Sequence, residues 1–211
     1  MYIPPHFRED RVDVLHDAIR LGGLATLVTM TADGLIASHL PLLVDPDPAP
    51  YGTLVGHLAR ANPQTSESEP GVQAMVMFHG PDGYISPSLY ATKKDTGKVV
   101  PTWNYVAIHA YGTLEFFDDP GRLLDVVTRL TERHESTRVK PWAVSDAPAD
   151  FVQGMLRGIV GLALPIARLE GKVKMSQNRP AIDHAGVIEG LRAEGRGDLA
   201  AQVAQALVTK A

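Results

Sequence analysis

Apolar positions recur at helical spacing in the opening segment. Val12, Leu15 and Ile19 share one face, Asp10 is placed to cap and Gly22 to terminate, so a helix is predicted over Arg11–Leu21. Leu24–Thr31 then reads as an apolar strand, and Asp33-Gly34 is a hairpin signal into Leu35–Val44. Thr53–Leu58 and Val72–Phe78 are further short strands, and Phe78–Ser88 reads as a turn-rich polar loop. A strand with an unusual face follows and extends to Phe117. Period-2 geometry puts Trp103, Tyr105, Ala107, His109 and Tyr111 on one side, with Asn104, Val106, Ile108 and Ala110 on the other. Leu123, Val126, Val127 and Leu130 predict a helix over Arg122–His134, and Pro148 opens a second through Leu156. Gly161–Met175 returns to strand character, and helices near Ile182–Ala193 and Leu199–Val208 close the chain. Consecutive strands on short connections, with helices at the periphery, predict a mainly β fold in one domain over residues 1–211, a small barrel rather than βαβ alternation.

Composition narrows the function classes. The chain is 45% hydrophobic and 21% charged, ordinary for a globular protein. The absence of cysteine excludes disulfides and thiolate chemistry, and fits the reducing cytoplasm. The start, Met1-Tyr-Ile-Pro-Pro-His-Phe, lacks the basic and apolar regions of a signal peptide, and no apolar run approaches the roughly 18 residues of a membrane span. Net charge is −4, with 20 Lys+Arg against 24 Asp+Glu, so the electrostatic footprint of a duplex binder is missing. The densest basic clusters, Lys93-Lys94…Lys98 and Lys172-Val-Lys174, suit one phosphate group better than a duplex, and the first reads equally well as a solvated face.

Phosphate-loop, dinucleotide-binding, zinc-protease and nucleophile-elbow signatures are all missing. His39, His57, His79 and His109 sit in or beside separate strands and read as hydrogen-bonded structural or cofactor-edge groups rather than metal ligands. Three polar clusters stand out. Gly56-His-Leu-Ala-Arg-Ala-Asn-Pro-Gln64 places donors past a strand end, where an anion can be met. Phe78–Ser88 carries one tyrosine, and Gly171-Lys-Val-Lys-Met-Ser-Gln-Asn-Arg-Pro180 ends a strand with five polar groups in close succession. The aromatic face from Trp103 to Tyr111 is either a sheet edge or dimer seam, or a shelf for a flat, polar, conjugated ligand.

Six segments carry a family resemblance: the Met1–Phe7 start, Ser38-His-Leu-Pro-Leu, the Gly56–Gln64 cluster, Tyr84-Ile-Ser-Pro-Ser, Val100-Pro-Thr-Trp-Asn-Tyr and Lys174-Met-Ser-Gln-Asn. In these the chain resembles the PaiB family, FMN-binding negative transcriptional regulators of the flavin-binding split-barrel group. Thr65 and Leu89 stand where the family pattern has tryptophan. The resemblance implies a six-stranded split β-barrel of the pyridoxamine-phosphate-oxidase type, a homodimer with FMN at the interface. On that basis His57, Arg60, Asn62 and Lys174 are expected to hold the phosphate and ribityl end. The backbone of His39, Leu40, Pro41 and Leu42, with Thr102, Trp103 and Asn104, is expected to line the ring. Pro41 fits because it removes a ladder donor and marks an irregular strand. Ser176, Gln177 and Asn178 are expected to complete the site from the far end of the barrel, at the partner subunit's FMN rather than their own, with a helix N-cap at Asn178 as the plainer role. Redox activity as an FMN-dependent oxidoreductase or flavin reductase, and haem binding, are the alternatives on the same fold.

Overall fold

Amphipathic segments become helices and alternating ones become strands in the computed structural model, which describes residues 1–208. In chain order the elements are β1 (Arg8–Glu9), α1 (Val12–Leu21), β2 (Ala25–Thr31), β3 (Gly34–Leu40), β4 (Leu43–Asp45), β5 (Thr53–Ala59), α2 (Gln64–Glu67) and β6 (Gln73–Ile85). There follow α3 (Lys93–Thr96), β7 (Thr102–Thr113), β8 (Glu115–Phe117), α4 (Pro120–Glu135), α5 (Ala149–Leu156), β9 (Ile159–Pro165), β10 (Arg168–Lys174), α6 (Ala181–Ala193) and α7 (Gly197–Val208). The chain is mainly antiparallel β with peripheral helices, but it has ten strands among the described residues where the resemblance implies six.

Four strand boundaries differ from expectation, one being the aromatic strand, which ends at Thr113 instead of reaching Phe117, where β8 pairs with β9. Leu35–Val44 is broken at Pro41-Leu42, because proline cannot donate to the ladder, and β3 pairs with β2 while β4 pairs with β5. Gly161–Met175 is two strands, since Ile166 and Ala167 donate out of the run to the carbonyls of Gly52 and Tyr111. The Phe78–Ser88 segment is strand as far as Ile85. Its glycines serve close approach rather than turning: a Cβ on Gly80 would come 2.9 Å from Val106, and one on Gly83 would come 2.8 Å from Leu199.

The chain forms two compact units, each assembled from separated stretches of sequence. One comprises residues 1–11, 79–108 and 170–208 and carries strands in the order β1-β10-β7-β6 with α6 and α7. Its core joins Ile85, Tyr90, Val106 and Met175 to Val187, Leu191, Leu199 and Val203 of the two helices. Asp183, fully buried near the start of α6, accepts from the backbone N–H and hydroxyl of Thr92 at 3.0 Å each and from Arg179 at 2.6 Å.

The other unit comprises residues 12–78 and 109–169. It holds the β2–β3 hairpin, the start of β6 and a four-stranded sheet in the order β4-β5-β9-β8. Helix α4 covers that sheet, burying Val126 and Leu130 against Leu43, Val55 and Ala163. Asp119 caps it by accepting from the Arg122 N–H at 2.7 Å. At its far end Arg133 donates to the Leu42 carbonyl at 2.9 Å and to the carbonyls of Ile19, Arg20 and Gly22, which supplies acceptors at the end of α1 with a cation.

Candidate functional site

In the unit built on β7 and β10, strand alternation sets the chemistry. Lys172 and Lys174 are two residues apart on β10 and therefore share a face. Their ammonium groups lie 5.1 Å and 6.0 Å from the centroid of the same ring, Tyr105. Lys174 Nζ donates to Thr102 Oγ1 at 2.6 Å, and Lys172 Nζ to the Tyr2 carbonyl at 3.1 Å. Lys172 is only 8% exposed. Among the described residues neither ammonium meets a carboxylate, and Glu170 on the same strand accepts from the Met1 amino group at 2.6 Å. Two cations beside one ring, one of them buried without a counter-charge, form a site that an anion would stabilise. Sequence reasoning singled out Lys174 and noted its neighbour only as part of a cluster. The i, i+2 spacing was the signal that joins them.

The same unit holds five more of the expected residues. Trp103 is half exposed, its Nε1 donating to Asp82 at 2.8 Å and its ring edge-on to Tyr84 with centroids 6.3 Å apart. Asn104 is fully buried and its Nδ2 donates to Ser176 Oγ at 3.0 Å. Ser176 has φ of 66°, a left-handed conformation that is costly for a residue with a side chain. Gln177 locks that turn, accepting from Met175 N–H and donating to the Val173 carbonyl, both at 2.6 Å. Asn178 is exposed and does not cap α6, which begins at Ala181 after Pro180. Lys93, Lys94 and Lys98 are exposed on and beside the single turn of α3.

The expected residues of the other unit are engaged differently. Asn62 donates to Ser38 Oγ at 2.8 Å and accepts from Gln64 N–H at 2.9 Å. His39 Nδ1 lies 3.1 Å from Thr26 Oγ1, and Leu40 and Leu42 are buried core. The Pro41 carbonyl and the Leu42 side chain fill the space where a Cβ on Gly56 would sit. Arg60 is committed to the fold: its Nε donates to the Arg157 carbonyl at 2.9 Å, and Nη2 to Asp118 at 2.6 Å and the Ile159 carbonyl at 2.8 Å. His57 lines an apolar groove under α4 and α5. Its Nδ1 is buried without a hydrogen-bond partner, and burial lowers the imidazole pKa from its usual 6.5, which favours the neutral ring. Of the two positions where the family pattern has tryptophan, Thr65 donates to the Asn62 carbonyl at 2.9 Å, and Leu89 packs on Gly186 and Gly190 of α6.

Comparisons with known proteins show the family and the fold. Residues 1–168 match the family described as "Putative FMN-binding domain". The chain is 33% identical over 194 residues to the protease synthase and sporulation protein PAI 2 of Bacillus subtilis, covering 92% of this chain and 90% of that protein. It is 35% identical over 225 residues to the uncharacterized protein AN0679 of Emericella nidulans, covering 90% of each. Among solved structures, it superposes on the conserved hypothetical protein Rv2991 of Mycobacterium tuberculosis with a TM-score of 0.60 at 13% identity, over 85% of this chain and 94% of that one. The FAD and heme binding protein of Mycobacterium smegmatis gives 0.55 at 16% identity, over 79% and 73%. At these identities the structural likenesses speak for the split-barrel fold class.

Proposed function

This chain belongs to the FMN-binding domain family, as a split-barrel flavoprotein of the PaiB type, and from that premise we propose that the FMN phosphate is held by Lys172 and Lys174. The observation that carries the reading is the uncompensated pair of ammonium groups beside Tyr105. Both lysines lie just past the matched segment, so the assignment rests on charge and geometry. A phosphate offers several acceptor oxygens, and charge-assisted bonds to them are short and strong. Arg60 has its Nε and Nη2 in use at Asp118 and two carbonyls, and His57 faces an apolar groove, so neither matches a dianion as well as the lysines do.

The remaining contacts follow from the same unit. Thr102 is held by Lys174, Trp103 offers a half-exposed ring, and the buried Asn104–Ser176 pair fixes the turn that presents Gln177 and Asn178. When bound, FMN supplies hydride or single-electron chemistry at its isoalloxazine, and these side chains orient it. Binding of riboflavin tests the reading, since it carries the same ring without the phosphate. FMN is expected to bind at least about 100-fold more tightly, the worth of two charge-assisted contacts. Equal affinity would refute it.

The reading extends to assembly and role. The outer face of the β2–β3 hairpin leaves Leu35 72% and Met30 38% exposed as a directly paired apolar patch, which supports a homodimer. Regulation, in this view, acts through flavin or redox state, because a net charge of −4 gives little support to operator binding. A cysteine-free composition suits the cytoplasm.

A further inference from the structure

The groove containing His57 has features that the flavin reading does not use. It has a volume of about 230 Å³ and lies within a single unit, walled by α4, the Trp142–Ala147 segment, α5 and the start of β9. Its walls are Val127, Trp142, Phe151, Met155 and Ile159, with Thr131 alongside. Trp142, Phe151 and Met155 are 48%, 58% and 59% exposed, so the groove is open at one side. Apart from His57, no lining side chain among the described residues is titratable.

His57 is the anomaly in this apolar setting. Strand alternation places it on the same face of β5 as Val55, which packs beneath α4. Directly opposite, Gly161 has no side chain and lies against the Phe117 ring. Among the described residues neither ring nitrogen of His57 makes a hydrogen bond, and Nδ1 is buried. The imidazole is half-buried: Nδ1 is enclosed, and Nε2, which has no protein partner either, is the nitrogen left accessible to a hydrogen-bonding ligand. Thr131 adds one more polar atom: its hydroxyl donates to the Val127 carbonyl at 2.7 Å, which leaves its oxygen able to accept.

We propose that this groove is a binding site for a small neutral aromatic molecule carrying one hydroxyl group, with that hydroxyl bonded to His57. Trp142 and Phe151 supply ring contacts, and Met155 a thioether beside them. The volume is below that of drug-sized pockets, which limits the ligand to about one ring. A charged ligand is disfavoured because no wall residue would compensate it. The proposal does not rest on the assignment of the lysine pair to FMN.

The test titrates the full-length, FMN-loaded protein with 4-methylphenol and with toluene, which has the same outline without the hydroxyl. One-to-one saturable binding of 4-methylphenol is expected, with a dissociation constant below about 1 mM. Toluene should bind about tenfold more weakly, because it leaves His57 unpartnered. His57→Leu should weaken 4-methylphenol about tenfold without weakening toluene. Phe151→Ser, at an exposed position that leaves the core intact, should weaken both, and neither variant should change FMN affinity. Absence of saturation, or equal affinity for the two probes, would overturn the proposal even if His57→Leu did not fold. So would conversion of a dimer to a monomer by Phe151→Ser, which would assign the groove to a second copy.

Discussion

Asn104 and Ser176, 72 residues apart in sequence, are paired at 3.0 Å in the interior, and the serine has a left-handed backbone. The Asn104 amide is the side-chain partner of the Ser176 hydroxyl, and both residues are almost without exposure. Asn104→Leu leaves the Ser176 hydroxyl buried without that partner. A loss of about 2 kcal/mol is expected, read as a lower urea midpoint at unchanged slope. Ser176→Ala should cost less in the Asn104→Leu background than alone, because the shared bond is already gone.

Helix α6 is anchored through Asp183. Burial by itself would raise its pKa, but hydrogen bonds from Thr92 and Arg179 and the Arg179 charge outweigh it, so the folded value lies below the ordinary 3.8. A folded pKa lower than the unfolded one means the stabilisation is complete above the unfolded value and lost as pH falls through the folded one. Asp183→Asn should therefore be less stable than the wild type at neutral pH, by about 2 kcal/mol. The gap should narrow in urea titrations repeated below pH 3.8.

Leu89 closes against α6 at two glycines. A Cβ on Gly186 would come 2.3 Å from the Leu89 carbonyl oxygen, and one on Gly190 would come 2.3 Å from its side chain. Gly186→Ala must move backbone and should cost about 3 kcal/mol. Gly190→Ala meets only a flexible side chain, so pairing it with Leu89→Ala should recover part of its cost. Thermal unfolding of Gly186→Ala, Gly190→Ala, Leu89→Ala and the Gly190→Ala/Leu89→Ala double variant distinguishes the two cases.

The amphipathic helices and the alternation of β7 were legible because each depends on local periodicity. Val126 and Leu130 bury as their spacing implies, and so do Val106, Ile108 and Ala110. Gly80-Pro-Asp-Gly83 was not legible, since it has turn composition yet is strand, with Val106 and Leu199 so close to its glycines that no side chain fits there. From its neighbours in sequence Arg60 reads as an anion ligand, and its contacts with the fold are what sequence does not show. Its partners Asp118 and Arg157 are 58 and 97 residues away, where local reasoning does not reach. The Lys172 contact with Tyr2, across 170 residues, was hidden for the same reason.

Binding to DNA should be weak and shallow in salt. A protein that neutralises 6–10 phosphates loses roughly 10³–10⁵ in affinity between 50 and 200 mM salt. With a net charge of −4 and its best-placed lysines assigned to a cofactor, this chain should show a far smaller slope on fragments of its own promoter. Nanomolar, sequence-selective binding with a steep slope would instead make the exposed Lys93, Lys94 and Lys98 the first positions to mutate.

The central claim is that Lys172 and Lys174 hold the FMN phosphate, and titration of FMN into the Lys172→Met/Lys174→Met double variant tests it most directly. The wild type should bind FMN in a saturable titration followed by flavin fluorescence. The double variant should bind about 100-fold or more weakly, while Arg60→Met stays within about threefold of the wild type once folded, its role being structural. Wild-type FMN affinity in a folded double-lysine variant would contradict the assignment.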